Sequence, residues 1–241
     1  MEDEARPGTT PVTLPELVVV RRSRGALRAA LAGLGGFAAI FALVKTHRSE
    51  AIDFALTMRW QAVHHPWLSR AMTLVSWPGF PPQSRIIPPL LMLGLLLLNL
   101  PLEAFFQLLA WTTGGVSELL KGIMKRPRPV AGTDLRVVAA PLGGSSFPSG
   151  HVITYVGTYG WLAYVLHSVI RPRWPRRLIV AALAALIAAV GPSRIYQGHH
   201  WPTDVAASYL LGITYLIGLA QLYHWLKARP PIRLGRLSER A

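Results

Sequence analysis

Long apolar runs joined by short polar or basic links set the pattern of this chain. The runs cover residues 26–45, 86–100, 102–120, 152–169, 178–192 and 203–226, and charge within them is sparse, with Glu103 and Glu118 near predicted ends. A helix needs roughly 20 residues to cross hydrocarbon, so several runs must extend into their flanks. The pattern predicts an all-α fold, an integral membrane bundle of six transmembrane helices. Residues 49–82 mix polar positions with Trp60, Trp67 and Trp77. That mixture predicts an extracytoplasmic interfacial helix or loop between spans 1 and 2, lying in the headgroup plane. A lid over an access route is the sharper reading of the same segment. Residues 130–147 are too polar and too rich in Gly and Pro to span, and predict a loop arching near the polar motifs, with Phe147 at its end. One domain over 26–228 follows, between a flexible cytoplasmic tail at 1–25 and a basic cytoplasmic tail at 229–241.

Composition agrees with the pattern. Of 241 residues, 51% are hydrophobic and 15% charged, against about 25% charged in a typical soluble domain. The net charge of +14 sits mostly in loops and tails, where membrane topology and anionic lipid account for it better than nucleic acid does. Cysteine is absent, which excludes disulfide and thiolate chemistry. The acidic opening followed by Arg21, Arg22 and Arg24 is a poor cleavable signal, so the first span reads as a retained anchor.

Basic clusters fix an orientation. Arg21, Arg22, Arg24 and Arg28 precede span 1; Arg171, Arg173, Arg176 and Arg177 link spans 4 and 5; Lys227, Arg229, Arg233, Arg236 and Arg240 follow span 6. With six spans all three clusters fall on one side, the cytoplasmic one. KGIMKRPRP (121–129), PSGH (148–151), SR (193–194) and HHWPTD (199–204) then share the opposite face. The expected location is the cell (plasma or inner) membrane, with both termini cytoplasmic and the polar motifs extracytoplasmic.

Those motifs carry the chemistry. Lys121, Arg128 and Arg194 are cations suited to phosphate, by bidentate fork or point charge. Ser149 and Gly150 stand where span 4 begins, so a hydroxyl and free helix N–H groups can meet an anion. His200 and Asp204 are four apart, and a helix would let the carboxylate take the Nδ1 proton and leave Nε2 as a nucleophile. His151, on another helix, can protonate a leaving alkoxide.

Lys121-x6-Arg128-Pro129, then Pro148-Ser149-Gly150-His151, then Ser193-Arg194-x5-His200-x3-Asp204 resemble the three-part signature of the type 2 phosphatidic acid phosphatase (PAP2) superfamily, in its integral-membrane branch. The resemblance spans residues 121–204 and fills every signature position. It implies hydrolysis of a lipid phosphate or diphosphate monoester at the outer face, with undecaprenyl pyrophosphate, phosphatidic acid and phosphatidylglycerol phosphate as substrate candidates. It further implies that His200 forms a phosphohistidine, that Asp204 orients it and that His151 protonates the leaving oxygen. Lys121, Arg128, Ser149, Gly150 and Arg194 would hold the phosphoryl oxygens, and no metal or other cofactor would be needed.

Other readings exist. Lys121 can be a snorkelling lysine paired with Glu118 one turn earlier. His200 with Asp204, helped by His199 and by His64 and His65, can be a metal pair, which the neighbouring arginines disfavour. Lys125 and Arg126 read as interfacial, His64, His65 and His199 as rim residues, and His47, His167 and His224 as structural. A phosphotransferase would pass the phosphoryl group to an acceptor other than water. A non-catalytic phospholipid binder or transporter would need only the cations.

Overall fold

In the computed structural model, residues 24–129, 134–137 and 142–228 are described. The tails at 1–23 and 229–241 and parts of the 130–147 loop lie outside them. Among the described residues the chain is all helical. Helices α1 (Arg24–Lys45), α8 (Arg173–Tyr196) and α9 (Pro202–Lys227) are long and apolar enough to cross a membrane. Between α1 and α8 come α2 (Glu50–Gln61), α3 (Pro66–Ser76), a 3₁₀ turn (Trp77–Gly79), α4 (Gln83–Leu97), α5 (Pro101–Trp111), α6 (Thr113–Met124) and α7 (Gly150–Val169).

Two stretches differ in form from the expectation. The run 102–120 is shared by α5 and α6, which meet at Thr112. There the Thr112 hydroxyl donates to the Leu109 carbonyl at 2.7 Å, and Gly114 and Gly115 follow. A hydroxyl that competes for backbone acceptors, next to residues of low helix propensity, is a natural place for a helix to change direction. Residues 49–82 form two helices rather than one, because His64-His65-Pro66 ends the first and starts the second. The His65 ring accepts the Trp67 N–H as α3's cap, and Pro66 takes the first helical position.

Helix α7 is the hub, packed against α5, α6, α8 and α9, while α1 lies on α9 and α3 on α8. The buried core of the described residues falls into three clusters. Phe106, Trp161 and Tyr223 form one, Phe37, Phe147 and Ala207 a second, and Val152, Tyr155, Val190 and Val205 a third. Leu27, Leu31, Leu34, Leu178 and Ile213 stay exposed on the outer helices, as a lipid-facing surface requires. The Glu103 carboxylate accepts from the Tyr223 hydroxyl at 2.5 Å and from Lys227 at 3.2 Å. A buried acid on α5 is thereby tied to the far end of α9.

Helix α2 turns its polar side inward. Ser49 at its cap, then Asp53, Thr57 and Gln61, are buried at four-residue spacing, whereas Ile52, Phe54, Leu56 and Trp60 are exposed. Gln61 donates to the carbonyls of Arg136 and Tyr196 at 2.8 and 3.1 Å and accepts the Arg136 N–H at 2.8 Å. The segment is thus a docked element with a polar seam.

Candidate active site

The end of α6, the start of α7, the end of α8 and the start of α9 meet at one end of the bundle. The contacts are direct. Arg128, in the loop after α6, donates to the His199 carbonyl at 2.7 Å. The Ser149 N–H donates to the Ser208 hydroxyl of α9 at 2.7 Å, and that hydroxyl donates to the Asp204 carbonyl at 2.7 Å.

His200 precedes α9 and is buried. Its Nδ1 lies 2.7 Å from the Ser146 carbonyl oxygen. A carbonyl only accepts, so Nδ1 carries the proton and Nε2 keeps its lone pair. Nε2 lies 3.4 Å from Arg128 Nη1. Burial, with the charges of Arg194 and Arg128, holds this imidazole well below the usual histidine range, so it is neutral at physiological pH. A neutral imidazole with a free Nε2 beside fixed cations is chemically a nucleophile waiting for an anionic electrophile.

The arginines are held by their surroundings. Arg128 donates through Nη2 to Ser145 O at 3.0 Å and through Nε to Gly143 O at 3.2 Å. Arg194 is fully buried; Nη1 donates to Gln197 Oε1 at 2.8 Å and Nη2 to His199 Nδ1 at 2.6 Å. The Phe80 ring stands 4.9 Å from its guanidinium carbon. The turn between Arg194 and His199 relies on Gly198, whose φ of +71° and contact with the Arg136 carbonyl both exclude a Cβ. Lys121 Nζ pairs with Glu118 at 2.6 Å and also lies 3.4 Å from where a Gly150 Cβ would stand. The pairing with Glu118 that the snorkelling reading expects is present, and the same ammonium lies beside Gly150.

His151, one residue into α7, packs edge-on against Phe80 with centroids 4.7 Å apart. A cavity of about 420 Å³ runs from Lys121, Gly150 and His151 past Tyr155 to Arg85 on α4. His151 Nε2, Ser149 Oγ, Arg194 Nε and Ser117 Oγ are buried polar atoms without a hydrogen-bond partner among the described residues. Such atoms are costly unless hydrogen-bonded, and beside a cluster of cations they are placed to donate to an anion.

All eight residues expected from the sequence thus lie at this end of the bundle, but some roles differ. The Nδ1 partner of His200 is Ser146 O; the Asp204 carboxylate stands 3.7 Å away. His200 is outside α9, so the pair do not share a helical face. Asp204 is the third helical residue, and its Oδ2 accepts the Trp201 N–H at 2.8 Å while Oδ1 takes Arg126 at 2.5 Å. His199 is buried against Arg194 and is no rim residue. Arg126 is likewise no interfacial residue. It is buried between Asp53 and Asp204, at 2.6 and 2.5 Å. Ser193 points away from the cradle and meets Ser76 Oγ at 2.7 Å. Lys125, in contrast, is exposed as expected. Sequence reasoning missed Phe80, Ser117, Ser146, Asp53 and Gln197. Of these only Asp53 left a signal, in the four-residue polar spacing of α2.

Residues 103–228 match the PAP2 superfamily, slightly more than half of the chain. Phosphatidylglycerophosphatase B of Bacillus subtilis (strain 168) is 29% identical over 185 residues, covering 73% of this chain and 86% of that protein. The bacitracin transport permease protein BcrC of Bacillus licheniformis is 41% identical over 69 residues, 29% of each chain. The crystal structure of a transmembrane PAP2-type phosphatidylglycerolphosphate phosphatase from Bacillus subtilis superposes with a TM-score of 0.74 at 21% identity, over 84% of this chain and 99% of that one. LpxE of Aquifex aeolicus superposes at 0.57 with 25% identity, over 70% and 94%.

Proposed function

The chain belongs to the PAP2 superfamily of membrane lipid phosphatases, and on that premise we propose that it hydrolyses the terminal phosphate of a lipid phosphate through a phosphohistidine on His200. Phosphatidylglycerol phosphate is the first candidate substrate, supported by the named activity of the Bacillus subtilis relative; undecaprenyl pyrophosphate and phosphatidic acid follow. One observation carries the mechanism: His200 is locked as the Nδ1–H tautomer by Ser146 O, with its free Nε2 beside Arg128.

The phosphoryl group sits among Arg128, Arg194, Lys121, the Ser149 hydroxyl and the Gly150 N–H, which take up charge on its oxygens. His200 Nε2 attacks phosphorus as the bond to the lipid oxygen breaks, and His151 delivers a proton to that oxygen. In the second half water attacks the phosphohistidine, His151 takes the water proton, and phosphate leaves with His200 restored. Asp204 serves the imidazole through space and by fixing the Trp201 backbone.

In the membrane, α1, α4, the α5–α6 pair, α7, α8 and α9 serve as six spans. Arg171, Arg173, Arg176, Arg177 and Lys227 lie at the ends of α7, α8 and α9 remote from the site. This supports a cytoplasmic location for that end and an extracytoplasmic one for the catalytic groups. Phosphate release from a panel of lipid phosphates and diphosphates, with wild type and His200→Ala in parallel, tests the reading. Release by wild type alone supports it. Phosphorylation of an added acceptor in place of release would replace it with a phosphotransferase, and equal release by the variant would remove His200 from the chemistry.

A further inference from the structure

Arg126 and Asp53 are buried, charged and outside the mechanism just described. Asp53 Oδ2 takes Arg126 Nη2 at 2.6 Å and the Thr203 hydroxyl at 2.7 Å, and Oδ1 takes the Thr203 N–H at 2.9 Å. Arg126 Nη1 reaches both Thr203 Oγ1 at 2.8 Å and Asp204 Oδ1 at 2.5 Å. The guanidinium is thus clamped between two carboxylates at the N-terminus of α9, next to the residue proposed as nucleophile.

The charges decide what this clamp does. Arg126 alone would cancel Asp204 and leave His200 facing only the cations Arg128, Arg194 and Lys121. Phosphorylation at Nε2 with Nδ1 still protonated makes the ring positive, so those cations oppose the step that they otherwise help by holding phosphate. Two carboxylates around one guanidinium carry a formal charge of minus one. That charge sits behind Nδ1, where Asp204 Oδ2 is 3.7 Å away, and interior charges act strongly over such distances.

We propose that Asp53 is a positioning residue for the reaction. From α2 it neutralises Arg126, so that the negative charge of Asp204 remains available to the imidazolium formed on His200. The inference rests on His200 being the nucleophile. It also gives α2 a part in turnover beyond anchoring.

The test uses the full-length enzyme in detergent, with rapid quench of radiolabelled lipid phosphate to count phosphohistidine per molecule and follow its formation. Asp53→Asn keeps shape and most hydrogen bonds but removes the charge. Its rate of phosphohistidine formation per competent site should fall about ten- to a hundredfold, with KM changed less than about threefold. Adding Arg126→Gln to Asp53→Asn restores a net charge of minus one, carried by Asp204 alone, and should recover part of the lost rate. A double variant slower per competent site than Asp53→Asn, or a single variant with the wild-type rate, would overturn the proposal. Counting competent sites separates both from poor folding. Absence of any phosphohistidine in wild type would instead sink the underlying mechanism, with His200→Ala as its blank.

Discussion

The Ser146 carbonyl oxygen lies 2.7 Å from His200 Nδ1, a full ångström nearer than the Asp204 carboxylate at 3.7 Å. A backbone acceptor sets the tautomer and a carboxylate stands behind it. The tautomer therefore survives loss of the carboxylate. We expect His200→Ala to abolish turnover while substrate still binds, and Asp204→Asn to cost about 10- to 100-fold in kcat, as loss of one opposite charge beside a forming imidazolium does. Steady-state kinetics on the two variants checks this; equal losses would make Asp204, not Ser146 O, the group that sets the tautomer.

Acid should act on stability through the same ring. His200 is held well below the usual histidine range by burial and by Arg194 and Arg128. Below about pH 6.5 the unfolded chain binds a proton at this position that the folded chain refuses. Stability from this group is therefore complete above about 6.5 and is lost as pH falls toward the folded value. The proposed nucleophile stays unprotonated over that same interval. Thermal unfolding between pH 7.5 and 5 should show a drop for wild type that is smaller for His200→Asn, and a drop of the same size in both would contradict the assignment.

The helices and the cradle were legible because each is written locally: apolar runs give the spans, and Lys121, Arg128, Ser149, Arg194 and His200 sit at fixed spacing beside their ends. What could not be read depends on which elements come to face one another. Ser146 contributes a carbonyl, which every residue has. Phe80 is one aromatic among many, and becomes a wall of the site only because the 3₁₀ turn docks on α7. The polar seam of α2 was visible as Ser49, Asp53, Thr57 and Gln61 at four-residue spacing. In a membrane protein, however, an amphipathic helix can turn either side to its neighbours, and partners remote in sequence, Arg126, Thr203, Arg136 and Tyr196, decide which. His199 and His200 differ in what meets Nδ1, an Arg194 donor for the first and the Ser146 carbonyl for the second.

Vanadate and chelators should separate a cationic cradle from a metal site. The site collects Arg128, Arg194 and Lys121 around His200, a set that attracts an anion and repels a divalent ion. Vanadate is expected to compete with lipid phosphate and to protect the enzyme against thermal unfolding, and Arg194→Lys should weaken both effects by losing the fork. Chelator should leave kcat unchanged after extensive dialysis. A rate restored only by added metal would reverse this account.

Gly79 offers a test of the proton donor that leaves the donor itself intact. A Cβ at this position would overlap the imidazole of His151, whose Nε2 has no partner among the described residues. Phe80 already blocks one side of the ring, so Gly79→Ala must displace His151 from the leaving oxygen. A lipid alkoxide is a poor leaving group and depends on that proton, whereas nitrophenolate does not. We expect Gly79→Ala to slow phosphohistidine formation from lipid phosphate by about 10²-fold or more, yet to change single-turnover nitrophenolate release by less than about threefold, because that first step takes no proton from His151. The ratio of the two rates is the measurement, because it cancels any loss of folded enzyme. If both substrates slow equally, His151 is not the general acid and the overlap acts on the cradle instead.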